Sequence, residues 1–326
     1  MTKIPVVIGL DLGGSNTRWA LVTREGDILG RWERATATMP DQERLIAILA
    51  AELAACAPEA RNRGAQIKGA GLGVAGQVLP REGLVAFSPN IPALNACPLV
   101  PSLQSQVDWP LFLENDANLF ALGEYWLGAG LRHPQMLGIT LGTGVGGGLI
   151  LEGRIWSGTA GTAGEIGHMT IEAEGELCHC GNRGCLETLA SGVWATAWVK
   201  EQLAQGAASW LRELYETDPE ALTGETLVVA AGQRDPLALK AFERVGHALG
   251  IAIANVVHLL GLPRVVIGGR FARSWELFEI PLHEELSRRL TLFPLAALSV
   301  VPAQLGDDAG LLGAAKLAWE SLEEEY

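Results

Sequence analysis

Two stretches of this chain follow one plan. Residues 6–23 read as a strand, VVIGLDL, a glycine turn, GGSNTR, and a second strand, WALVT; residues 136–153 repeat it as MLGITLG, TGVGG and GLILEG. Strands this apolar, with so little polar alternation, belong in a sheet covered on both faces. The match between the two stretches is too short to prove duplication. It does set two comparable α/β units side by side in sequence, each opening on a glycine-lined turn. A chain of 326 residues has the length for about two domains and can bury a sizeable core.

The rest of the chain fits that plan. Apolar spacing predicts helices at 41–57, 117–127, 186–204, 236–260 and 275–289, and a last one from about 308. Further strands are expected at 28–34, 67–74, 111–114, 264–268 and around 297–301. No Pro/Gly/Ser-rich linker separates two beads, and the C-terminal helix closes in a solvated acidic end, EEE.

Composition removes several classes. Lys+Arg 24 against Asp+Glu 37 leaves a net charge of −13, which argues against a nucleic-acid surface. The N-terminus meets Asp11 before any small-residue cleavage pattern and does not read as a signal peptide. The most apolar stretch, 248–262, contains Asn255 and His258 and is short for a membrane span, so a buried helix is expected. Five cysteines do not pair evenly, and three of them crowd into eight residues. That favours metal ligation over disulfides and a cytoplasmic location. Glycine is the outlier, 40 residues or 12% against a usual value of about 7%. No every-third period makes it collagen.

Four constellations, and one further glycine pair, can carry chemistry. Asp11, Gly13, Gly14, Ser15, Asn16 and Thr17 form a turn whose bare glycine amides can approach a phosphate, with Ser15 and Thr17 as short donors and Asp11 able to hold Mg²⁺ or its waters. A tight hairpin with Asp11 capping the turn is the plainer alternative. The stretch Gly142, Thr143, Gly144, Val145, Gly146 is a second candidate phosphate grip, or a bulged hairpin. The pair Gly268-Gly269 follows the strand RVVI and could face a nucleotide base, or simply enter a helix. Glu114, Asn115 and Asp116 end the strand LFLE; Asp116 could accept the proton of an attacking hydroxyl, or serve as a helix N-cap.

The fourth is the most specific. His168 followed by Cys178-x-Cys180-x₄-Cys185 offers one imidazole and three thiolates, a tetrahedral zinc set with no open position, hence structural. His179 is a competing ligand. Glu165 and His168 in GEIGH and Glu187 just after the knot would be pinned in one corner, suited to vicinal hydroxyls such as those of sugars.

Together DLGGSNTR, LENDAN, GITLGTGVGGG, GEIGHM and CHCGNRGCLE resemble the ROK family of sugar kinases and sugar-responsive repressors, over essentially the whole chain. The resemblance implies an α/β, two-lobed actin/hexokinase-like fold of ribonuclease-H type, commonly dimeric. It implies a small lobe of about 1–116 completed by 305–326, and a large lobe of about 117–304. By the family pattern Asp116 is the catalytic base, and Asn90, Asn115, Glu165, His168 and Glu187 contact the sugar. His168, Cys178, Cys180 and Cys185 hold zinc, and the two glycine turns handle ATP with Mg²⁺ near Asp11. Repressor members carry a helix-turn-helix ahead of the first turn; here that turn begins at residue 11. The activity implied is phosphorylation of a hexose at its 6-hydroxyl by ATP, glucose first, with N-acetylglucosamine, N-acetylmannosamine or fructose as alternatives. A sugar sensor without catalysis is the reading from another class. Two departures bear on the sugar: Gly73–Leu79 lacks the usual proline and aspartate, and Ala93, Leu94 and Asn95 stand where a tryptophan is frequent.

Overall fold

The computed structural model describes residues 3–39 and 41–324; Glu325, the last acid of the expected solvated end, lies outside them. In chain order the elements are β1 (Ile4–Leu12), β2 (Asn16–Thr23), β3 (Ile28–Ala35), α1 (Gln42–Asn62), β4 (Ala65–Val74), β5 (Gln77–Leu79), β6 (Leu84–Phe87), α2 (Leu99–Gln104), β7 (Leu111–Asn115) and α3 (Asp116–Leu127). Then follow β8 (Met136–Leu141), β9 (Val145–Leu151), β10 (Arg154–Ile155), α4 (Glu187–Ala190), α5 (Gly192–Ala204), α6 (Leu211–Thr217), α7 (Gly224–Gly232), α8 (Pro236–Leu260), β11 (Arg264–Gly268), α9 (Trp275–Arg289), β12 (Ser299–Pro302) and α10 (Ala309–Glu324).

One five-stranded sheet runs β3-β2-β1-β4-β7 and the other β10-β9-β8-β11-β12. In the first, β1 pairs antiparallel with β2 and β2 with β3, while β1–β4 and β4–β7 are parallel. In the second, β9–β10 is antiparallel and β8–β11 and β11–β12 are parallel. The repeated plan visible in the sequence is thus a repeated sheet order, and the fold is the α/β ribonuclease-H type. The chain divides into two compact units, 1–134 with 148–164 and 304–326, and 135–147 with 165–303. The expected boundary at 116/117 falls after the first residue of α3, inside the first unit.

The apolar strands are covered on both faces, as their composition requires. In β1, Val6, Ile8 and Leu10 pack with Leu45, Leu49 and Leu53 of α1, while Val7 joins Leu311, Ala315 and Trp319 of α10. Period-two alternation therefore separates two cores instead of a core from water. The α10 face is unusually close. A methyl on Gly71 would lie 1.8 Å from the Ala314 carbonyl oxygen, and one on Gly313 1.8 Å from that of Leu119. Only hydrogen fits at either point.

Helix ends follow their caps. Asp235 accepts from the amides of Leu237 and Ala238, Pro236 opens α8, and Gly261 ends it with φ 65°. Two expectations need correction. The helix at 41–57 continues past Pro58 to Asn62. The single helix expected at 186–204 is broken at Ser191, whose extended backbone and side-chain cap on the Trp194 amide start a new helix. The break has a use described below. No described helix is long and apolar enough to cross a membrane; 248–262 lies largely in α8 and carries Leu249, Ala252, Ile253 and Val257 into the core.

Candidate functional site

Asp11, Asn90, Asn115 and Asp116 lie in the first unit. Asp11 ends β1 opposite Arg18 of β2 and Gly73 of β4. Its carboxyl is pushed up to about 6, first by burial, then by the charge of Asp116, with Arg18 opposing. The two aspartates, 105 positions apart in sequence, are therefore electrostatic neighbours. Gly13 closes its turn by donating to the Asn16 carbonyl at 3.1 Å, and Gly14 sits against Asn90, whose Cβ would be 3.0 Å from a methyl there. Ser15 is exposed and Asn16 half-buried. The Thr17 hydroxyl is buried and lies 3.1 Å from that of Thr36, which in turn donates to the Gly13 carbonyl at 2.6 Å. Thr17 thus holds the turn from within.

At the end of β7, the cap of α3 is Asn115, whose Oδ1 accepts from the amides of Ala117 and Asn118 at 2.8 and 3.1 Å. Asp116 is the first helical residue, half-buried, and is not needed as the cap. Asn115 Nδ2 donates to the Gly76 carbonyl at 2.9 Å, fixing the amide at both ends. Glu114 answers the question its burial raises. It accepts from the Asn115 amide at 2.8 Å and Asn118 Nδ2 at 3.0 Å, and burial still holds its carboxyl above the usual range.

Sequence reading missed Glu124. This fully buried acid accepts from the backbone amides of Ala129, Gln304 and Leu305, pinning the end of α3 to the approach of α10. Nothing near it in sequence marks that role, because two of its partners lie 180 and 181 positions away.

The burial of Asp11 yields an expected result. Its folded carboxyl binds a proton more tightly than the ordinary value of 3.8, so it favours the fold at low pH, and that contribution is lost as pH rises from about 4 through about 6. Asp11→Asn should therefore be more stable than the parent at pH 7.5, by about 2–3 kcal/mol, with the gap closing near pH 4. Urea midpoints at the two pH values check this; an Asn variant equal to or weaker than the parent at pH 7.5 would contradict it.

Gly142–Gly146, Glu165, His168, Glu187 and Gly268-Gly269 lie in the second unit. The turn after β8 is closed by the Gly142 amide donating to the Gly144 carbonyl at 3.0 Å. Gly268 registers with Thr140, and Gly269, at φ 93°, lies against Leu141, so the third glycine pair is brought to the base of the second turn. Thr143 is exposed and Gly146 half-buried. Glu165, exposed, precedes the short turn that carries His168. Glu187, half-buried, opens α4 and accepts from the Val145 amide at 2.9 Å.

The metal set assembles as its spacing implied. The ligand atoms of His168, Cys178, Cys180 and Cys185 all lie within 4.8 Å of one another. Cys178 Sγ is 3.7 Å from His168 Nδ1, and Cys180 Sγ is 3.7 Å from Cys185 Sγ. A tetrahedron with metal–sulfur bonds of about 2.3 Å has edges of about 3.7–3.8 Å, so the residues fit a four-coordinate ion. Chemistry agrees with geometry. Burial raises the Cys178 thiol and pushes that of Cys185 up to about 12, while the Asn182 backbone holds Cys180 below its ordinary value. Three thiolates there need a cation to exist together at neutral pH. His168 engages the knot through Nδ1 and keeps Nε2 as its other polar atom. His179 is outside the cluster and packs on Trp194, ring centroids 5.7 Å apart.

The chain is 35% identical over 316 residues to the glucokinase of Thermotoga maritima, covering 97% of this chain and 98% of that one. A ROK hexokinase from Thermus thermophilus superposes with a TM-score of 0.82 at 31% identity, covering 98% and 99% of the two chains. A ROK glucokinase from Streptomyces griseus, solved with glucose and AMPPNP, gives 0.78 at 34% identity, covering 97% and 99%. The ROK family model matches residues 7–321, a span that takes in both sheets, both glycine turns and the knot in one piece. The chain belongs to the ROK family.

Proposed function

We propose that this ROK-family sugar kinase transfers the γ-phosphoryl group of ATP to the 6-hydroxyl of glucose, giving glucose 6-phosphate and ADP. The pairing of Asp11 with Asp116 carries the reading: two carboxylates, one at the end of a central strand beside a glycine turn, the other at the head of a helix that does not need it as a cap. Phosphoryl transfer asks for little covalent chemistry and much positioning. Asp116 orients the sugar hydroxyl and takes its proton as the oxygen attacks phosphorus and the bond to the leaving ADP oxygen breaks. The turns Gly13–Thr17 and Gly142–Gly146 handle the phosphates, with the amides of Gly13, Gly142 and Val145 already engaged in holding the turns themselves, and we assign Gly268 and Gly269 to the nucleotide. Asn90, Asn115, Glu165, His168 and Glu187 hold the sugar hydroxyls. Asp11 would hold Mg²⁺, directly or through water, which when bound screens the phosphate charge. Zinc is the ion we assign to the knot, in a structural role.

Glucose is the substrate named for relatives at 35% and 34% identity. We place the enzyme in the cytoplasm as a homodimer. The two departures at Gly73–Leu79 and Ala93–Asn95 weaken the claim to any one hexose, and an N-acetylhexosamine or fructose is the alternative substrate. ADP release measured across glucose, mannose, fructose, N-acetylglucosamine and N-acetylmannosamine tests the assignment. Glucose is expected to give the highest kcat/KM. A higher value with an acetylated sugar moves the enzyme to that substrate, and no ADP with any of them leaves the non-catalytic sensor.

A further inference from the structure

The four-residue helix α4 joins the knot to the second glycine turn, and it does so at both of its ends. Glu187, its first residue, follows the ligand Cys185 by two positions and lies 3.9 Å through Oε1 from the sulfur of the ligand Cys178. Its other oxygen accepts the Val145 amide at 2.9 Å. Just past α4, where the expected long helix breaks, the Gly192 amide donates to the Gly142 carbonyl at 2.9 Å. A methyl on Gly144 would come within 2.5 Å of Glu187 Oε2, so a side chain there would push the carboxylate off the turn. The Val145 carbonyl, on the far side, lies against Gly167 in the segment that carries His168; a methyl on Gly167 would be 2.0 Å from it. Val145 is thus enclosed between two segments that each end in a metal ligand.

We propose that Glu187 is a positioning residue that transmits metal occupancy of the knot to the Gly142–Val145 turn, so that nucleotide affinity, as well as sugar affinity, depends on the metal. The link to nucleotide rests on the phosphate-handling role assigned to that turn above; the link to Val145 does not. An ion on Cys178 and Cys185 fixes the backbone two residues before Glu187 and the sulfur that its Oε1 faces. The carboxylate then holds one amide of the turn in place before any ligand arrives, which lowers the ordering cost of binding. Without the ion, Glu187 hangs on a loop whose three thiols have no common partner.

Amide hydrogen exchange at Val145, without sugar or nucleotide, reads the link directly, with the Leu10 amide in β1 as reference for the fold. Chelating the metal from the purified protein should lower Val145 protection about tenfold, the scale of one lost hydrogen bond, and leave Leu10 unchanged. Glu187→Ala should do the same with the metal bound, and chelation should then add nothing. Glu187→Gln keeps a carbonyl acceptor and should retain most of the protection, so it carries the test if the Ala variant folds poorly. Chelation that empties the knot but leaves Val145 unmoved would overturn the proposal, as would an equal further loss in Glu187→Ala, which would mean another route. MgADP affinity measured in parallel should fall severalfold. A protected Val145 that responds to metal in a chain that binds no nucleotide would retain the link and remove the phosphate role instead.

Discussion

Asp116→Asn should lower kcat by about 10²- to 10⁴-fold, the range for loss of a positioned acid–base group, with the KM for sugar within a few-fold of the parent. The structure makes this test cleaner than sequence suggested. An aspartate at the head of a helix is ordinarily suspected of capping it, and removing a cap costs about 0.5–2 kcal/mol. Here Asn115 caps α3 through two hydrogen bonds, so the substitution removes the acceptor and leaves the helix start intact. Stability at pH 7.5 should stay level or rise, because one of the charges that raises the proton affinity of Asp11 is gone. Coupled ADP release and a thermal melt on the same preparation check both halves. A variant that keeps a third of its turnover would remove Asp116 as the base. One that loses turnover together with ten degrees of melting temperature would instead make it structural.

Loss of the knot should have the second large effect. Cys185 is fully buried, sits 3.7 Å from Cys180, and is separated only by Leu186 from Glu187, the first residue of α4. Cys185→Ser should reduce bound zinc from about one per chain to a small fraction, since a closed four-ligand site has no spare donor. Sugar KM is expected to rise by about 10- to 100-fold, the range for disturbing the groups that orient a metal site. The melting temperature should fall well beyond what one Cys-to-Ser exchange in a core explains. Chelation of the parent should reproduce each change, and zinc should restore the parent but not the variant. Metal content by atomic emission, with sugar titrations, decides it. An emptied knot with unaltered sugar affinity would reduce the metal to a bystander.

The elements that sequence placed well are those with a local cause. β11 at 264–268 and α8 at 236–260 match because an apolar run, Asp235-Pro236 at the start and Gly261 at the end act within a few residues. The metal set was legible for the same reason, as three of its ligands lie within eight residues and residue type limits what they can bind. The break at Ser191 was not legible. Its reason is the Gly142 carbonyl, 50 positions away, which draws the Gly192 amide out of the helical path. Asn115 rather than Asp116 as the cap was likewise undetermined, because either side chain can cap and backbone angles choose.

Glycine shows where the division falls. Sequence alone established that glycine is in excess, that two strand–turn–strand units recur, and that one imidazole and three thiols are spaced for a metal. It suggested that the glycines serve phosphate and sugar. Tertiary structure gave several of them a different reason. Gly71, Gly123 and Gly313 exist because α10 lies against β4 and α3 with carbonyl oxygens where a Cβ would be. Local chemistry can be read from neighbours along the chain. A steric exclusion depends on which backbone arrives from elsewhere, and only the folded chain decides that.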